Sequence, residues 1–245
     1  MNRTLLEICV EDLDGIEAAA TGGADRLELC NGLALGGLSP SPSFAARALE
    51  SGLAVHAMVR PRPGDFVYSA EELALMIAEI RMLAATGVHG IVVGATRVDG
   101  SPDGDSLGRL RDAAADIQIV LHRAIDLAPD PVQAIELACS LGYDHVLSSG
   151  GASTAAEGAA TLTQMVAAAA GRLSIIAGSG ITANDVAGLV QATRVPAVHA
   201  SASTGKKWAD SRVFDFGFGP SLRRSTDPAK VAGLRAALEN LRIPK

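Results

Sequence analysis

The sequence predicts a single (β/α)₈ barrel, and three observations carry that prediction. Short apolar stretches rich in β-branched residues recur eight times, at 5–10, 26–29, 55–59, 90–93, 117–121, 144–147, 174–177 and 197–200. Between them lie alanine-rich stretches with their own helix-start and helix-stop residues, an alternation that implies parallel strands joined by right-handed crossovers. The chain has 245 residues, the length that eight such units occupy.

The elements justify themselves in order. The first strand, 5–10, leads into Cys9-Val10-Glu11-Asp12 where a doubly wound open sheet would carry its glycine fingerprint, so a closed barrel is expected instead. Ser41-Pro42, Asp130-Pro131 and Asp227-Pro228 each set a cap before a proline at the first helical position. Ser69 with Glu72, and Thr182 with Asp185, have the spacing of a capping box. Gly22, Gly52, Gly87, Gly142 and Gly171 follow their helices, where a left-handed residue ends the turn. One domain over 1–245 is expected, with a long loop at 204–226 after the eighth strand and a final helix at 228–241.

Composition excludes several classes. Hydrophobic residues make up 48% of the chain, enough for a large core, yet no apolar run approaches membrane-spanning length. A net charge of −6, with 3% aromatics and no basic cluster, speaks against nucleic acid. Three widely spaced cysteines argue against a disulfide framework. With Met1-Asn2-Arg3-Thr4 running at once into a strand, they lead to the expectation of a cytoplasmic protein without a signal peptide.

Barrels place their chemistry at the C-terminal ends of strands and in the loops that follow. The first two strands repeat one pattern there, Glu7-Ile8-Cys9 and Glu28-Leu29-Cys30. Alternation puts each glutamate on the same face as its cysteine. An outward face would bury both carboxylates unpaired under helices, so the pattern faces inward. Adjacent strands lie about 4.8 Å apart, which lets the two sulfurs approach, and soft thiolates select Cu(I). Free cysteine is equally at home as a small buried hydrophobe, the reading that suits Cys139 within its helix.

The third strand ends in Arg60-Pro61-Arg62-Pro63-Gly64-Asp65, a stiffened loop with two guanidinium groups. Arg60 reads as an anion ligand. Arg62 fits either that role or an ion pair with Asp65 that pins the loop. The fifth strand runs out through His122-Arg123-Ala124-Ile125-Asp126, which brings an imidazole, a cation and a carboxylate together. With Arg60, Glu7 and Glu28, the residues His122, Arg123 and Asp126 form a candidate acid–base site; an ion-pair network plugging the barrel is the alternative. His56 and His199 read as satisfied core histidines. Gly178-Ser179-Gly180 and Ser201, at the ends of strands seven and eight, match the position where barrels hold a phosphate or carboxylate. Asp99-Gly-Ser-Pro-Asp103-Gly-Asp105 lacks the closing glutamate of a calcium loop and reads as a turn and helix cap.

Arg-Pro-Arg-Pro-Gly-Asp-Phe-Val-Tyr-Ser at 60–69 resembles a signature of the CutC family. The likeness extends to Leu-Glu-Ile-Cys (6–9), Gly-Ala-Asp-Arg-Leu-Glu-Leu-Cys (23–30), Gly-Gly-Leu-Ser-Pro-Ser (36–41), His-Arg-Ala-Ile-Asp (122–126) and Val-Leu-Ser-Ser-Gly (146–150). It is weakest over 204–226. The resemblance implies a copper-homeostasis protein that binds Cu(I) through Cys9 and Cys30. The residues themselves carry a second reading: an isomerase, lyase or hydrolase acting on a small phosphorylated or carboxylated metabolite. Finally, Trp208 and the alternating Phe214, Phe216 and Phe218 would present one apolar face if extended. A homodimer contact, or a lid over the barrel mouth, would cover it.

Overall fold

The computed structural model describes residues 3–241, so the domain expected over 1–245 runs past that span at both ends. Strands β1 (Leu5–Val10), β2 (Arg26–Leu29), β3 (Ala54–Met58), β4 (Gly90–Val93), β5 (Gln118–Leu121), β6 (His145–Ser148), β7 (Ser174–Gly178) and β8 (Ala197–Ala200) pair in parallel, each with the next. β8 then pairs with β1 and closes the barrel. Helices α1 (Leu13–Thr21), α2 (Pro42–Leu49), α3 (Ala70–Ala84), α4 (Gly104–Ala114), α5 (Pro131–Ser140), α6 (Ala159–Ala169) and α7 (Val186–Thr193) fill the crossovers. After β8 come β9 (Ser203–Lys206), α8 (Arg212–Asp215), β10 (Arg223–Thr226) and the last helix, α9 (Pro228–Glu239).

Strand alternation splits the apolar residues into two cores. Leu6, Ile8 and Val10, like Leu27, Leu29, Ile91 and Val93, pack beneath the helices in the larger cluster. Cys30, Met58, Val92, Val120, Leu147, Ile176 and Ala197 form a separate cluster in the barrel lumen. The register sets Glu7 beside Arg26 on β2 and beside His199 on β8. Closure of the barrel therefore brings together residues that lie 192 positions apart.

The caps at Ser41, Asp130 and Asp227 accept backbone N–H bonds, and Ser69 with Glu72 makes both bonds of a capping box. Two local expectations need correction. Thr182 donates its N–H and its hydroxyl to the Asp185 carboxylate, but α7 begins only at Val186. At the end of α1, Gly23 rather than Gly22 is left-handed (φ 87°). Gly22 serves packing instead, since a Cβ there would lie 2.4 Å from Cβ of Val231 on α9.

The stretch 204–226 is not an irregular loop. β9 and β10 pair antiparallel into an arm, Thr226↔Ser203 through Arg223↔Lys206. The one-face reading of the phenylalanines fails, because Phe214 lies in α8 and the chain turns at Gly217 (φ 72°). Phe214, Phe216 and Phe218 are nonetheless all exposed, and the last two rings meet edge to face at 6.2 Å.

Candidate functional site

The C-terminal mouth holds a cavity of about 840 Å³. Of the residues singled out in the sequence, Cys9, Glu28, Arg60, His122, Arg123, Asp126, Gly180 and Ser201 line it. Glu7, Cys30 and Gly178 do not.

The floor is built by the three strands that meet at barrel closure. Cys9 Sγ, a Glu28 carboxylate oxygen and a ring nitrogen of His199 lie within 4.8 Å of one another. His199 Nδ1 sits 2.8 Å from Glu7 Oε1, and its Nε2 lies 3.8 Å from Glu28 Oε2. Arg26 donates from Nε to Glu7 Oε2 at 2.5 Å. Cys30 donates its thiol to Glu28 Oε2 at 3.6 Å. The result is one buried chain, Arg26–Glu7–His199–Glu28–Cys30, with Cys9 beside its centre.

Electrostatics gives the links different tasks. Burial works against the Glu7 carboxylate, but Arg26 and His199 outweigh it and hold Glu7 well below the usual carboxylate range. Burial raises Glu28, and the Glu7 charge adds to it against the pull of His199; among the described residues its Oε1 has no partner. Burial would make His199 neutral, yet the carboxylates of Glu28 and Glu7 and the Cys9 sulfur raise it well above its ordinary value. Glu28 and His199 are therefore both shifted toward their protonated forms. The Cys30 thiol is pushed well up by burial and by Glu28, so it stays protonated.

Several predicted residues are committed to framework bonds. Arg60 donates from Nη1 to the carbonyls of Leu35 (2.9 Å) and Gly37 (3.0 Å), and from Nη2 to that of Gly64 (2.8 Å). It braces the loops after β2 and β3 and lies over the Phe66 ring, with only Nε left unpartnered. Arg62 pins its own loop through Asp65, Glu72 and the Val67 carbonyl. Asp126 accepts from Ser148, Ser149 and the Gly151 N–H, and pairs with Arg123 at 2.8 Å. It anchors the loop after β6. Gly178 makes room inside the barrel, since a Cβ there would lie 2.6 Å from Leu147 Cδ1.

His199 and Arg26 are the floor residues that sequence reasoning missed. Both were signalled: alternation puts Arg26 on the face of Glu28 and His199 on the face of Ser201, and closure of eight strands makes β8 the neighbour of β1. His56 does take a buried core position, with its Nε2 3.0 Å from Gln118 Oε1.

Fold and floor together define a (β/α)₈ barrel with a thiol, imidazole and carboxylate cluster at its mouth. The chain belongs to the CutC family, whose model matches residues 4–204. It is 47% identical to a family protein CutC of Sinorhizobium medicae over 98% of both chains. A second, from Rhizobium meliloti, is 44% identical, again over 98% of both. Among solved structures, the CutC protein of Streptococcus agalactiae superposes with a TM-score of 0.77 at 29% identity, covering 81% of this chain and 98% of that one.

Proposed function

We propose that this protein binds Cu(I) at the barrel mouth, between Cys9 Sγ and His199 Nε2, in a copper-homeostasis role. One observation carries the reading: the Cys9, Glu28 and His199 donors converge, and Glu7 engages Nδ1 of the histidine. A carboxylate on one imidazole nitrogen fixes the tautomer and leaves the other free for a metal. Thiolate and imidazole are donors that Cu(I) accepts, whereas Glu28 is a hard ligand better suited to steering the proton that metal binding releases. Copper homeostasis is also the role in the name of the Streptococcus agalactiae relative. A cytoplasmic setting would keep the free cysteines reduced.

The sequence implied a Cys9–Cys30 pair; the proposal keeps Cys9 and replaces Cys30, whose thiol resists ionisation, with His199. Anaerobic titration against a Cu(I)-selective chelator tests it. Wild type and Cys30→Ser should withhold one equivalent of copper, and Cys9→Ser should withhold none. Retention by Cys9→Ser would refute the site.

A second reading has its own support. A cavity of about 840 Å³ is far larger than one ion requires. An enzyme acting on a small anionic metabolite, with Glu28 and His199 exchanging a proton, would use that volume.

A further inference from the structure

The upper wall of the cavity carries charge that the metal proposal does not use. Arg224, from β10, and Lys230, from α9, both line the cavity and converge on one residue. Arg224 donates from Nε to Ser203 Oγ at 2.9 Å, and Lys230 donates from Nζ to the Ser203 carbonyl at 2.7 Å. Among the described residues, neither forms an ion pair with a carboxylate. Asp227, the nearby acid, is committed to capping α9 through the Ala229 N–H. Two cations held side by side without a counter-charge repel each other, a cost that an anion between them removes.

The facing walls are also short of acceptors. Gly180 and Ile181 line the cavity on the loop after β7, and among the described residues their N–H groups have no acceptor. His122 Nδ1 accepts the Ala124 N–H, so the proton of the neutral ring sits on Nε2. That Nε2–H is buried and unpartnered, as is Nε–H of Arg60. Both residues are more than nine-tenths buried and line the same cavity. Buried donors left without an acceptor are destabilising, a cost that a ligand rich in oxygen would offset.

We infer that the cavity takes a small organic phosphate, with the phosphoryl group between Arg224, Lys230 and the Gly180–Ile181 amides, and with hydroxyl or carbonyl oxygens of the organic part on Arg60 Nε and His122 Nε2. The inference rests on the second reading above and gives it a substrate class. It makes no use of copper. The arm β9–β10 supplies one wall of this subsite, which accounts for a structured segment where an irregular loop was expected.

Calorimetric titration with a pentose phosphate, the parent pentose and the corresponding pentonate separates the possibilities. Wild type should bind the phosphate at least tenfold more tightly than either of the others. Arg224→Ala and Lys230→Ala are both exposed, so folding is retained, and each should weaken the phosphate by about tenfold or more, the scale of a charge-assisted hydrogen bond. His122→Phe should weaken phosphate and parent pentose alike. Equal binding of phosphate and pentonate would overturn the phosphate subsite while leaving an anionic metabolite in place. Binding of none of the three at millimolar concentration would overturn the subsite and the second reading together.

Discussion

The lumen has two unlike walls. On β1, β2 and β8 it presents Glu7, Cys9, Arg26, Glu28 and His199; on β4 to β7 it presents Val92, Val120, Leu147 and Ile176. The side chains of both are largely buried, so the difference between them is not exposure but what each must satisfy. The apolar wall needs only volume, because its side chains lose dispersion contacts when trimmed and nothing else. The charged wall needs every partner, because one missing group strands another's charge in a low-dielectric interior.

The largest expected effect comes from breaking the charged wall. Glu7→Ala leaves Arg26 and His199 without their shared carboxylate and should cost about 3–5 kcal/mol in urea unfolding. It should also abolish metal binding, since nothing then orients His199. On the opposite wall, Ile176→Ala should cost about 2–5 kcal/mol as a cavity mutation. Its metal affinity should be unchanged. A stability loss from Ile176→Ala accompanied by loss of metal would mean that the walls are not independent.

Acid titration sharpens the contrast at the buried end of the barrel. Burial and then the Arg26 charge push His56 down to about 3, and the same causes push His145 down to about 4. Unfolded histidine takes up a proton as pH falls through about 6.5, while these two do not. The contribution of these two to folding stability is therefore full above pH 6.5 and declines below it, by about 1.4 kcal/mol per pH unit for each histidine. Glu7, held low, adds its own loss as pH falls through the ordinary carboxylate range, where the unfolded glutamate takes up a proton and the folded one does not. His56→Gln should reduce the slope between pH 6.5 and 4.5 by one proton, read as unfolding free energy against pH. An unchanged slope would show that His56 is not buried neutral.

The smallest effect is expected at the arm. Phe216 is 65% exposed, so Phe216→Asp should shift monomer stability by no more than about 0.5 kcal/mol. If the Phe214–Phe218 surface joins two copies, as we propose, light scattering will find a dimer in the wild type and a monomer in the variant. A wild-type monomer at micromolar concentration would leave these rings to a lid role.

Much of this was legible in the sequence, for identifiable reasons. Ser69 with Glu72, and the Asp-Pro and Ser-Pro pairs, are local devices, and local spacing is enough to read them. Glu7 and Glu28 were legible as inward carboxylates because burying them outward would leave them unpaired. Their partners were harder to see. His199 reads as an ordinary core histidine on an apolar strand until the barrel closes and sets it beside Glu7. Arg60 was read as an anion ligand and Asp126 as part of an acid–base site because they lie at strand ends; the framework bonds they also make, to the Leu35 and Gly37 carbonyls and to Ser148 and Ser149, join loops that spacing does not bring together. Arg224 was noted only as part of a basic and aromatic loop, because β9 and β10 lack an apolar pattern, and Lys230 lies on α9, whose approach to the mouth no spacing reveals.

The proposal that the charged wall is a metal site, with a histidine and not a second cysteine as its other ligand, is tested most directly by X-ray absorption at the copper edge of the Cu(I)-loaded protein. One sulfur and one imidazole nitrogen in the first coordination shell, with the imidazole signature lost in His199→Ala and retained in Cys30→Ser, is the predicted result. Two sulfurs and no imidazole would contradict it and return the site to Cys9 and Cys30.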